Sequence, residues 1–133
     1  IDRGGFVEAV IRMLILLADN RGNVRRDRLE RSSQVLTQDE PFASLSMDER
    51  TRIIHEQSLI VEFEPKRAIE TLPKLLTRKA DREKAAAVAQ FIPGRIDEMA
   101  PGTLALLQRF HEVLGLPPVT EDVTSDPLTR AAE

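Results

Sequence analysis

Apolar residues recur along this chain mostly three and four positions apart, the spacing that lines one face of an α-helix, and few β-branched runs alternate as a half-buried strand would. The pattern predicts an all-α, single-domain bundle of about six helices. The first, about Gly5 to Asn20, is apolar at Phe6, Val7, Val10, Ile11, Met13, Leu14, Ile15, Leu16 and Leu17. Only a narrow polar stripe through Glu8, Arg12 and Asp19 is left, so this helix is buried on most sides. Gly22 breaks the run, and a second, heavily charged helix follows to about Leu36, with Leu29 and Leu36 as a thin inner seam.

The stretch TQDEPFASLSMDE is a loop that leaves Phe42 exposed and ends in a start signal: Ser46 followed three residues on by Glu49 forms a capping box. A third helix runs from about Met47 to Phe63, with Met47, Ile54 and Val61 turned inward beside Ile53 and Ile60. Pro65 opens a fourth helix, where its missing amide costs nothing; Ala68, Ile69, Leu72, Leu75 and Leu76 keep the period until Pro73 kinks or ends it. The fifth, about Ala80 to Ile92, puts Ala85, Val88, Ala89 and Ile92 on one side. The sixth, about Thr103 to Leu114, carries Leu104, Leu107, Phe110 and Leu114 inward and stops at Gly115, before two prolines. From Pro117 onward PPVTEDVTSDPLTRAAE is polar, acidic and proline-bearing, which predicts a flexible tail beyond a folded domain of residues 1–116.

Composition narrows the function classes. With 41% hydrophobic and 31% charged residues the 133-residue chain is neither disordered as a whole nor a membrane protein. Its longest apolar stretch, Val10 to Ala18, is interrupted by Arg12 and falls well short of the roughly 20 residues that span a bilayer. The net charge of −3 sits in the last residues, and residues 1–116 carry equal numbers of acidic and basic side chains. That balance argues against a nucleic-acid partner, which a basic excess would serve. The absence of cysteine fits a reducing cytoplasm and excludes disulfide and thiolate metal sites. No secretory signal is visible, and a chain starting at Ile1 reads as a segment of something longer.

Candidate chemistry is sparse. His55-Glu56 begins a zinc-binding His-Glu-x-x-His, but position 59 is Leu, which leaves an exposed polar stripe. His111 is far off in sequence and reads as a surface or boundary histidine. Asp19 and Glu30 have the separation of the first and last ligands of an EF-hand loop, yet Arg21 and Val24 stand where an oxygen ligand and a glycine are needed. Asp97 and Glu98 would ligate a divalent ion together with Asp19 only if two distant turns met; acids at helix starts are more often there for the helix dipole. The basic feature is LADNRGNVRRDRLERS, in which Arg21, Arg25 and Arg28 share a helix face, with a solvated, internally paired face as the plainer account. Gly-x-Ser-x-Gly, Ser-x-x-Lys and a phosphate-cradling glycine loop are all missing, and Glu62 and Glu64 flank Phe63 in poor geometry for acid–base work.

An internal repeat pairs LLADNRGNVRRDRLERSSQVL with AQFIPGRIDEMAPGTLALLQRFHEVLGL, aligned at Gly22-Asn23-Val24 and Gly94-Arg95-Ile96. These units, over about Phe6 to Leu116, resemble the tellurite-resistance TerB-like domain, an all-helical fold whose halves each carry an Ala-Asp-Gly-x-Val/Ile turn. The resemblance implies divalent-metal binding by the acids of those turns. Here Arg21 precedes Gly22 and Pro93 precedes Gly94, so the family ligand is missing from both and only the displaced Asp19 and Asp97 stand nearby. GGFVEAVIRMLILLADNRGNVRRDRLERS, followed by RIIHEQSLIVEFEP, is also similar to the C-terminal region of uncharacterised bacterial proteins related to polyhydroxyalkanoate synthases. That resemblance implies an α/β-hydrolase domain upstream in the parent protein.

The expectation is therefore a non-catalytic, cytoplasmic accessory domain that docks other domains of its parent chain or a protein partner, with a homodimer left open. Its contact surface is expected at Arg21, Arg25, Arg28 and exposed Phe42, with no cofactor. The alternative is a divalent-metal or tellurite/stress-response domain using Asp19, Asp97 and Glu98.

Overall fold

The computed structural model describes residues 2–19, 34–123 and 127–128. The fold is all-α, with no strand among the described residues. The main helices are α1 (Asp2–Asp19), α2 (Met47–Phe63), α3 (Pro65–Glu70), α4 (Leu72–Leu75), α5 (Lys79–Phe91) and α6 (Pro101–Leu114). Short 3₁₀ turns occur at Phe42–Ser44 and Ile96–Glu98. Residues 34–38 are helical with Val35 buried, and the other residues of the predicted second helix lie outside the described ones.

The all-round apolar character of α1 makes it the centre of the bundle. Phe6, Val7, Ala9, Val10, Ile11, Met13, Leu16 and Leu17 are all buried, and α2, α4 and α5 pack around them. Gly5 permits a close approach of α4, since a Cβ there would lie 2.5 Å from the carbonyl oxygen of Leu75 at the end of that helix. α6 closes the other side, packing on α3, α4 and α5 through Thr103, Leu107, Phe110 and Leu114.

Local signals set the ends of the helices. Ser46 and Glu49 form the capping box, the Ser46 hydroxyl accepting from Glu49 N at 3.1 Å and the Glu49 carboxylate from Ser46 N at 3.0 Å. The fourth predicted helix is divided at Thr71, so that Pro73 sits in the first turn of α4, where it needs no amide donor. α6 ends at Gly115, whose φ of 71° is left-handed; Leu116 N bonds His111 O at 2.9 Å and Gly115 N bonds Glu112 O at 3.2 Å, a Schellman closure.

Three expectations are corrected. Phe42 is fully buried, with its ring centroid 6.3 Å from that of Phe6, and Arg50 donates to its carbonyl at 3.0 Å; the loop turns inward to fill the core beside the start of α1. Met47, expected inside, stands 77% exposed at the first position of α2, and the inward stripe of that helix runs through Ile53, Ile54, Gln57 and Val61. The expected flexible tail is packed through its described part. Val119 and Leu128 belong to the core, and helix side chains hold the backbone at Val119 and Glu121.

Buried polar groups knit the helices together. Arg12, at 6% exposure, lies inside the bundle: its Nε donates to Gln57 Oε1 at 2.7 Å, and its Nη1 donates to Ala68 O at 3.1 Å and Thr71 Oγ1 at 2.9 Å. Thr71 passes its own hydroxyl proton to Arg67 O at 2.6 Å. One guanidinium thus ties α1 to α2 and satisfies a carbonyl that the interrupted α3 leaves without a helical donor. Burial pulls the guanidinium below its ordinary pKa, with the nearby Glu8 charge acting in the opposite direction. Arg82 does related work at the far end of the bundle, donating to Leu76 O at 2.6 Å and Leu114 O at 3.2 Å, where α4 and α6 run out.

Candidate functional site

Among the described residues, the sequence-predicted site residues do not converge: Phe42 is buried while Asp97 and Glu98 are exposed. Arg21, Arg25 and Arg28 lie outside the described residues. Phe42, buried in the core, offers nothing to a partner. Asp19 is the last residue of α1, described by its backbone alone. Asp97 and Glu98 are exposed in the second 3₁₀ turn, where Asp97 pairs with Arg95 at 3.0 Å. The acid that approaches this turn comes from the C-terminal segment: Asp122 Oδ1 accepts from Ile96 N at 2.8 Å. Among the described residues no three His, Cys, Asp or Glu side chains assemble as a metal would require. Of the carboxylates at this turn, Asp97 is paired with Arg95 and Asp122 with a backbone amide. His55 and Glu56 are exposed on α2, as the polar-stripe reading expects, and His111 is half-buried at the end of α6.

Two surfaces remain as candidates. The first is the outer side of α2. Leu59 and Phe63, one helical turn apart, are 41% and 73% exposed on a helix whose opposite side is core. Arg52 and Glu56, both exposed, continue the same stripe toward the start of the helix. The sequence held a signal for this surface: Leu59 and Phe63 fall off the inward series Ile54, Val61, so the fold had no use for them inside.

The second surface lies between α5 and α6. The chain leaves α6 at Gly115 and runs as irregular backbone through residues 116–123 across these helices. Gln108 of α6 bonds both backbone groups of Val119, Gln90 of α5 donates to Glu121 O, and the Nδ1 of His111 lies 2.8 Å from Pro117 O. An open cleft of about 250 Å³ remains beside this segment, lined by Ala86 and Ala87 of α5 and by Pro118 and Thr120.

No protein family, curated protein or solved structure matches the chain. What the geometry offers is apolar contact and recognition of peptide backbone. No helix among the described residues is long and apolar enough to cross a membrane.

Proposed function

We propose that this chain is a non-catalytic docking domain of a larger, cytoplasmic bacterial protein, and that the Leu59–Phe63 side of α2 is its contact face. The observation that carries this reading is the exposure of those two side chains, 41% and 73%, on the surface of a helix that already buries its other side. An aromatic and an aliphatic residue side by side in water form the kind of anchor that interfaces bury, and their partner is a protein surface with an apolar pocket. The arginine-rich stretch with Arg21, Arg25 and Arg28 is a second element of this proposal, supported by its sequence pattern. The TerB-like and polyhydroxyalkanoate-synthase-like sequence patterns support placement within a longer bacterial protein. The metal-binding alternative draws no support from the Asp97–Glu98 turn.

The experiment is site-specific photo-cross-linking in the host cell, with the photoreactive residue at position 63 and a control at exposed Thr51 of the same helix. One dominant protein adduct at 63, weak at 51 and lost with Leu59→Asp, is expected. Equal labelling at both positions, or an adduct indifferent to Leu59→Asp, would mean that this face docks nothing.

A further inference from the structure

The segment leaving α6 is held at three positions by its main chain, with the Asp122 carboxylate and the buried Val119 side chain adding contacts of their own. Gln108 Nε2 donates to Val119 O at 3.1 Å while its Oε1 accepts from Val119 N at 2.9 Å, the two-point pairing that a neighbouring β-strand would supply. Gln90, only 4% exposed, donates to Glu121 O. His111 Nδ1 lies 2.8 Å from Pro117 O; a carbonyl only accepts, so this nitrogen carries the ring proton. The residues held are 117, 119 and 121, alternate positions of the segment. Three helix side chains therefore form a ladder for peptide backbone, and it does not depend on the side chains at 117 or 121. Between those positions the buried anchor is Val119.

The resident segment fills its groove imperfectly. The cleft of about 250 Å³ between Ala86 and Ala87 on one side and Pro118 and Thr120 on the other is space that a bulkier side chain would occupy, gaining contacts the native segment forgoes. We propose that the α5–α6 groove is a docking site for an extended segment of a partner protein, and that residues 117–123 hold it closed as an intramolecular competitor. The occupant is an unstructured peptide with a valine-sized anchor followed by a larger aliphatic residue, engaged by the Gln108, Gln90 and His111 ladder. Tethering gives the resident segment an effective concentration in the millimolar range, so a partner enters only with better filling of the cleft. This site lies on different helices from the α2 face and is independent of it.

The test uses the whole chain and a fluorescent peptide, LPPVTEDV, that copies residues 116–123, together with a second peptide carrying Thr120→Leu. Three proteins are compared with wild type by fluorescence polarisation: Val119→Asp, which expels the anchor; Pro117→Gly/Pro118→Gly, which loosens the segment without removing a core atom; and Val119→Asp/Gln108→Ala. The first should bind the probe roughly tenfold more tightly than wild type and the proline variant several-fold more tightly, with the Thr120→Leu peptide the better ligand throughout. Adding Gln108→Ala should erase the gain. Because the proline variant keeps the core intact, misfolding of Val119→Asp does not rescue the idea. Neither variant exceeding wild type, or binding indifferent to Gln108→Ala, would overturn it. A dimer on mixing Val119→Asp with wild type would also overturn it, showing exchange of the segment between copies.

Discussion

Arg12 and Gln57, 45 positions apart in sequence, meet at 2.7 Å inside the bundle, and this hydrogen bond fastens the central helix to α2. The same guanidinium reaches Ala68 O and Thr71 Oγ1, so its removal strands the buried Gln57 Oε1 and Ala68 O and takes a donor from the Thr71 hydroxyl. Arg12→Lys keeps the charge but loses the planar fork that serves Gln57 with one nitrogen and the α3 end with another. Arg12→Lys is expected to cost about 1–3 kcal/mol and Arg12→Met about as much or more, because each leaves a buried donor or acceptor unpaired. Urea unfolding followed by circular dichroism measures this; a variant as stable as wild type would show that the Arg12 network is idle.

Gly5→Ala tests the close approach of α4. A methyl group 2.5 Å from Leu75 O is met by backbone that cannot yield cheaply, so α1 and α4 must separate. A loss of about 1–3 kcal/mol is expected from such overpacking, read as a lower urea midpoint. Gly115→Ala differs in kind, since nothing lies within 4 Å and only the left-handed φ of 71° is penalised; about 1 kcal/mol is expected.

Phe42 separates core from contact. Truncation of this buried ring to alanine is expected to cost about 3–5 kcal/mol, as for other core aromatics. Small changes in thermal unfolding would instead return the side chain to the surface, where its loop setting places it by sequence.

How much of this was legible in the sequence follows from where each signal resides. α1, α2 and α6 are short-range patterns: apolar spacing, a capping box, a glycine stop before prolines. They appear close to where the spacing puts them. Arg12 was legible only as part of a polar stripe, because what buries it is a set of partners 45 to 59 positions away. Phe42 carries no periodicity, being a single core residue delivered by a loop. Residues 117–123 look like a tail by composition, yet part of their attachment runs through backbone atoms, which side-chain pattern does not encode. Of the candidate surfaces, Leu59 and Phe63 were visible as apolar residues off the inward stripe, whereas the α5–α6 groove needed the fold.

The proposed contact face requires that Leu59 and Phe63 serve docking and contribute nothing to folding. The most direct measurement pairs urea unfolding of Leu59→Asp/Phe63→Asp with cross-linking of the same double variant from a photoreactive residue at exposed Glu56, beside them on α2. That role predicts stability within about 0.5 kcal/mol of wild type, as for exposed positions, together with loss of the adduct seen from position 56 in the wild-type background. A loss of 2 kcal/mol or more would contradict it, making these side chains part of the chain's own packing; so would an adduct that survives.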